Sequence, residues 1–196
     1  MKYDDNLKSA VDCLQKGEVI ITPSESCYGF SCDALNPKAV AKINALKGRK
    51  NMPLTVLVSN LSMLDQIIRL DEVSTKLSQA FHPGPLNIIA DFKTVDKYAY
   101  LSSNGLAFRI PKHQMLVDLI NAFGSPMTTT SANRHDCPAI YKIDEIKAMF
   151  GDNVCAILDD GNLDESVLPS TVFDARNKKM VRNGPISLDE IKMALD

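Results

Sequence analysis

The chain has no Cys-x-x-Cys pair and only three histidines, and its five cysteines stand alone at positions 13, 27, 32, 137 and 155. Without paired ligand spacing, zinc or cluster binding by these thiols is disfavoured. An odd, scattered set fits free thiols in a reducing compartment better than a disulfide framework. No apolar stretch reaches the length of a membrane span, and the start, Met1-Lys2-Tyr3-Asp4-Asp5, lacks an apolar signal region. The expected setting is therefore cytoplasmic, with no membrane partner. The GxxxxGK[ST] and GxGxxG fingerprints are both missing, and so is any Ser-His-Asp arrangement. Aromatic residues are 6% and the net charge is -2, which speaks against a basic, base-stacking surface that coats nucleic acid.

What is present is ordinary globular material. Hydrophobic residues are 45% and charged residues 23% of 196, enough for a sizeable core in one domain spanning 1–196. Leu7, Ala10, Val11 and Leu14 follow helical spacing, with Asp4 or Asp5 as the starting cap and Gly17 as the stop. Residues 19–21 read as a buried strand. Asn36-Pro37 is a cap followed by proline at the first helical position, opening a helix that ends at Lys47-Gly48-Arg49. Further strands are expected at 54–58, 86–90, 106–110, 127–130 and 154–158, and helices at 62–68, 73–81, 115–123 and 143–149. Thr171-Val172-Phe173 and Met180-Val181-Arg182 read as a hairpin, and Ser187-Leu188-Asp189-Glu190 as a capping box. Strands interleaved with helices give an α/β fold with a twisted mixed sheet flanked by helices.

Chemistry concentrates in four loops: Pro23-Ser24-Glu25-Ser26-Cys27-Tyr28-Gly29, Lys47-Gly48-Arg49, Ser131-Ala132-Asn133 and Pro169-Ser170-Thr171-Val172. Hydroxyls and fixed cations converging on a concave face suit an anionic ligand such as a nucleotide. Each loop also has a plainer explanation. Lys47 and Arg49, with Lys50 beside them, fit a solvated cationic helix end as well as a phosphate clamp. Arg109 lies on the strand face opposite Phe108 and Ile110, where it is either an exposed strand residue or a fork for a carboxylate. Ser131-Ala132-Asn133 is either a turn or a ligand loop at a strand end. His82 and His113 adjoin proline breaks with no Cys or Asp partner in sequence, which points to the surface. Asp159, Asp160 and Asp164 read as solvated acidic turns, so no metal site is expected from the protein itself.

In this order the loops resemble the YrdC/TsaC family of threonylcarbamoyl-AMP synthases. The family's P-T-D-T-x-Y-G-L-x-C-D-A stretch is matched by residues 23–34, its K-x-R by Lys47-Gly48-Arg49 and its P-G-P-x-T segment by Pro83-Gly84-Pro85-Leu86. Its V-x-R-x-P strand is matched by Ala107-Phe108-Arg109-Ile110-Pro111. Ser131-Ala132-Asn133, Leu158-Asp159-Asp160-Gly161, Pro169-Ser170-Thr171-Val172 and Arg182-Asn183-Gly184 complete the series. The resemblance implies synthesis of L-threonylcarbamoyl-AMP and pyrophosphate from L-threonine, bicarbonate or CO2, and ATP with Mg²⁺, for threonylcarbamoyladenosine in tRNA. It implies ATP contacts from Lys47, Arg49, Ser131, Asn133 and Arg182, with Lys47 and Arg49 catalytic. Ser26, Arg109, Thr129 and Ser170 are implied in a threonine pocket, and tRNA and a downstream transferase as partners.

Departures from the pattern are Ser24 and Ser26 for threonines, Glu25 for aspartate, Lys50 for proline, and Arg134-His135-Asp136 where x-S-G is usual. Asp136 either turns outward or brings like charge toward phosphates. Two other functions stay open: a non-catalytic YrdC-like domain that binds double-stranded RNA or tRNA, and a carbamoyl transferase of the hydrogenase-maturation type. The end at Asp196 is read as the short, single-domain form.

Overall fold

Alternation along short apolar strands sorts the side chains onto two faces of one sheet, and helices cover most of both. The computed structural model describes residues 2–49 and 52–196; the departure at Lys50, and its share of the basic cluster, lie outside them. Within those residues the strands are β1 (Ile20–Thr22), β2 (Gly29–Asp33), β3 (Thr55–Leu57), β4 (Ile68–Arg69), β5 (Leu86–Phe92), β6 (Leu106–Arg109), β7 (Met127–Ser131), β8 (Ala156–Ile157), β9 (Thr171–Asp174) and β10 (Lys179–Arg182). Their order is β10-β9-β5-β6-β3-β7-β2-β1-β8, with β4 added on β5. Pairs β1–β8, β3–β6 and β5–β9 are parallel and the rest antiparallel, so the sheet is mixed.

Helix α1 (Lys2–Gln15) and α5 (Gln114–Phe123) cover one face. There Ala10, Leu14, Leu116, Leu119 and Ile120 meet Ile20, Leu57 and Met127. Ile21, Phe30, Val56 and Phe108 point the other way into the larger core. The latter is closed by α2 (Pro37–Lys47), α3 (Glu72–Phe81), α6 (Ile143–Phe150) and α7 (Leu188–Leu195), with a one-turn α4 (Val95–Tyr98) between β5 and β6. Asn36 caps α2 by accepting from the amides of Lys38 and Ala39, with Pro37 in the first turn. Ser187 and Glu190 form the reciprocal capping box of α7.

Several expectations need correction. Strand β2 was not foreseen: Gly-Phe-Ser-Cys-Asp has no β-branched residue, yet it is held on both sides by β1 and β7. Residues 61–64 form a 3-10 turn and 68–69 a strand, where a single helix was expected. Asp4 and Asp5 sit inside the first turn of α1 and do not precede it. Cys13 and Cys155 are not free thiols but a disulfide spanning 142 residues. Nothing in their spacing signals this. The turn at Gly17 folds α1 back along β1, and the Cys155 amide donates to Val19 O, which brings the two cysteines together. Cys27, Cys32 and Cys137 remain free.

His82 was expected at the surface and is instead wedged between α3 and β5. Its Nδ1 meets Ser78 Oγ at 2.8 Å, its Nε2 meets Leu86 O at 2.8 Å, and the ring lies edge-on to Phe108. Because a carbonyl can only accept, Nε2 carries the proton and Nδ1 accepts from Ser78. Burial holds the ring neutral, with its pKa pulled down to about 4. The unfolded chain takes up this proton first, so stability is present above pH 6.5 and drains away as the pH falls toward 4. The difference from 6.5 corresponds to about 3 kcal/mol. Denaturant unfolding at pH 7 and pH 4.5 should show a loss of this order in the wild type, and a smaller loss in His82→Gln. Equal losses in the two proteins would rule the histidine out as the titrating group.

Candidate active site

The face covered by α1 and α5 is only half apolar. Toward β5 and the start of β3 its residues become Asn87, Arg109, Thr55 and Thr129, and here it forms the floor of a cavity of ≈ 410 Å³. Thr55 pairs with Ala107 on one side and Thr129 on the other, so this floor follows from strand register. The walls come from the loops before β2, after α2, after β7 and before β9. Hydroxyls line it, and so do three guanidinium groups, from Arg49, Arg109 and Arg182; the described lining residues include no carboxylate. A cavity of this size with cations and no counter-charge in its wall fits a small polyanion.

Arg109 is only 5% exposed. Its Nη1 donates to Glu25 Oε2 at 2.8 Å, and Glu25 Oε1 accepts from the Lys112 amide at 2.5 Å. The strand expectation placed Arg109 either in solvent or in a cleft; it lies in the cleft. Burial pushes the Glu25 carboxyl upward, but the Arg109 charge and the backbone and side-chain hydrogen bonds together outweigh it and leave its pKa lowered. The guanidinium therefore keeps a fixed orientation while its remaining donors stay available to the cavity.

Lys47 and Arg49 part company at Gly48. That glycine caps α2 in the left-handed conformation (φ 68°), a turn that residues with a Cβ adopt at a cost. Lys47 goes inward, 4% exposed, and its Nζ donates to Ser131 O, Asn133 O and Asn133 Oδ1 at 2.6, 2.9 and 2.8 Å. It braces the 131–133 loop from behind and is not among the cavity-lining residues. Burial, followed by the charge of Arg49, pulls its pKa down to about 8. Arg49 lies on the cavity wall, with Thr130 Oγ1 and Asn44 Oδ1 each at 3.4 Å.

Asn133 also lies behind the wall. Its Oδ1 accepts from Lys47 and from Ser131 Oγ, and its amide donates to Cys137 O. Ser131, Ser26, Thr129 and Ser170 do line the cavity. Arg182 joins them, with Nε and Nη2 donating to Ser170 O at 3.0 and 2.8 Å. The close approach behind this contact needs Gly184, since a Cβ there would lie 2.4 Å from Pro169 O and Thr171 N.

The open question at Arg134-His135-Asp136 has a geometric answer. Asp136 has φ 61° and a side chain 90% exposed, turned away from the cavity. A glycine in this position would serve the same left-handed turn, and aspartate is among the residues that tolerate it best. Ser24, one of the departures from threonine, shapes the loop. Its Oγ donates to Cys27 O and accepts from the amides of Ser26 and Cys27. His113 has a partner after all: its Nε2 lies 3.0 Å from Asp160. Asp159 is paired with Lys147, and Asp164 accepts from Ser166. Sequence reasoning missed Thr55, Asn87 and Tyr141 on the wall. The first two follow Pro-Leu dipeptides at strand starts, a weak signal in a single chain.

The chain is similar to known proteins over most of its length. The profile of the Sua5/YciO/YrdC family, described as telomere recombination, matches residues 12–184. A threonylcarbamoyl-AMP synthase of Vibrio parahaemolyticus is 30% identical over 92% of this chain and all of its own. One from Photobacterium profundum is 31% identical over the same shares. Among solved structures, P. abyssi Sua5 complexed with L-threonine superposes with a TM-score of 0.87 at 25% identity. That match covers 96% of this chain, which spans 57% of the length of the P. abyssi chain. E. coli YciO shares the fold at a TM-score of 0.82 and 24% identity, over 94% of this chain and 92% of its own.

Proposed function

The chain belongs to the Sua5/YciO/YrdC family, and we propose that it is a threonylcarbamoyl-AMP synthase, joining L-threonine, bicarbonate or CO2, and ATP. The observation that carries this reading is the cavity with three guanidinium groups and no carboxylate in its described wall. A relative solved with L-threonine and relatives that bear the synthase name support it.

Arg109 holds the threonine carboxylate, with Ser26, Thr129 and Ser170 around the amino acid. Arg49, Ser131 and Arg182 face the nucleotide, and Lys47 and Asn133 keep Ser131 in place. The threonine nitrogen, carboxylated to a carbamate, brings an oxygen to the α-phosphorus of ATP. That oxygen forms the new P–O bond as the α–β anhydride bond breaks and pyrophosphate leaves. Positioning and charge neutralisation drive the step, with no covalent enzyme intermediate. Mg²⁺ would enter with the ATP, held by its phosphates and water. The product would pass to a transferase that modifies tRNA. ATP, bicarbonate and L-threonine as substrates support the cytoplasm as the setting of the reaction. No helix among the described residues is long and apolar enough to cross a membrane.

Incubation with ATP, L-threonine and bicarbonate should release pyrophosphate in a threonine-dependent way and give the adenylate by mass. Pyrophosphate release that ignores threonine would sink the reading.

A further inference from the structure

Asn87 is 7% exposed, lies in β5 on the cavity wall, and its Oδ1 is buried without a hydrogen-bond partner. No other described residue bonds its carboxamide. Such a group normally costs stability, so native proteins rarely keep one without a use. Its neighbours identify the part of the site it serves. Strand register pairs Ile88 with Phe108, and one step further along the two antiparallel strands sets Asn87 beside Arg109. Thr55 and Thr129 complete the same patch of floor. A carboxylate ligand on Arg109 would bring its other polar groups over Asn87.

We infer that Asn87 is a specificity-determining residue of the amino-acid subsite, its carboxamide oxygen accepting a hydrogen bond from the bound amino acid. This rests on the reading of the cavity as a threonine and ATP site. A carbonyl oxygen accepts only from N–H or O–H, and threonine offers two such donors, its side-chain hydroxyl and its nitrogen. A site with a buried acceptor discriminates against ligands that lack the donor, because the acceptor is then left unpaired. Asn87 occupies the threonine position of the P-G-P-x-T segment, and its side chain, longer than threonine's, ends in a buried carboxamide oxygen that lacks a partner at the edge of the cavity.

The test is titration calorimetry of L-threonine, L-valine and ATP against wild type and Asn87→Leu in bicarbonate-free buffer, with thermal melts alongside. The variant should bind threonine about 10- to 100-fold more weakly, bind ATP within twofold of wild type, and melt at the same temperature or higher. A melting point that holds or rises while threonine is lost is not what a purely structural asparagine would give. Valine has threonine's shape without the hydroxyl and separates the two donors. If the variant erases a wild-type preference for threonine over valine, the hydroxyl is read; if both ligands weaken equally, the nitrogen is read. Asn87→Val, a smaller strand former, gives the same comparison should leucine not fit. Threonine affinity within twofold of wild type, or parallel losses for threonine and ATP, would overturn the inference alone. A wild type that binds ATP but no threonine overturns the amino-acid reading of the cavity and the inference with it.

Discussion

Arg109→Ala is expected to cut threonine-dependent turnover by about 100-fold or more, the loss of one buried charge-assisted contact of about 3 kcal/mol. ATP binding should change by less than threefold. Arg49→Ala should do the reverse, weakening ATP binding while threonine binding holds. The expected split comes from position. Arg109 stands on the sheet floor beside Thr55 and Thr129, whereas Arg49 stands on the wall at the end of α2, near Thr130. Arg109→Ala also strands Glu25, whose carboxylate is largely buried and loses its cation. Part of any defect could then be unfolding, since breaking a buried pair from one side costs about 3–5 kcal/mol. The double change Arg109→Ala with Glu25→Gln separates the two effects, because it should recover the melting temperature without recovering turnover. Calorimetry on each variant with each ligand is the deciding measurement. Equal losses of both ligands in both single variants would contradict the assignment of one cation to each substrate.

The sequence made the loops legible and left their facing directions hidden. Lys47-Gly48-Arg49 could be read as a cationic helix end, but not that the left-handed turn at Gly48 sends one cation behind the wall and the other onto it. That choice depends on where Ser131 and Asn133 arrive, more than eighty residues away. Arg109 could be put on the face opposite Phe108 by alternation, yet whether that face was solvent or cleft depended on how far α1 and α5 extend over the sheet. Glu25 reads as a longer aspartate in the sequence; its role as the partner of Arg109 exists only once β6 lies beside the first loop. Asp136 looked like a hazard beside phosphates because residue type shows charge and not φ. Local signals such as Asn36-Pro37 and the Ser187 capping box needed no such context and were readable at once. The disulfide was the opposite case, since 142 residues of intervening fold bring Cys13 to Cys155.

Lys47→Met should destabilise the protein by about 3 kcal/mol and weaken ATP binding at least tenfold, although the side chain does not line the cavity. The ammonium donates to three oxygens of one short loop, and a methionine of similar length leaves all three without that donor. Ser131 then loses its anchor through Asn133, and the cavity wall loses its shape. The same contact makes a pH prediction with a definite sign. With its pKa pulled down to about 8, Lys47 keeps its proton at pH 7 and gives it up as the pH rises through 8. A neutral amine donates only two hydrogens, so one of the three loop contacts fails and nucleotide binding should decline above pH 8. Stability should not follow. Free lysine titrates near 10.4, so between about 8 and 10 the unfolded chain holds more protons than the folded one. Linkage then makes the contribution of this group rise with pH. Activity that falls above pH 8 while the melting temperature shows no matching fall identifies the Lys47 ammonium as the brace of the Ser131–Asn133 wall. A pH–activity curve still flat at pH 9.5 would assign that role to the loop's own backbone instead.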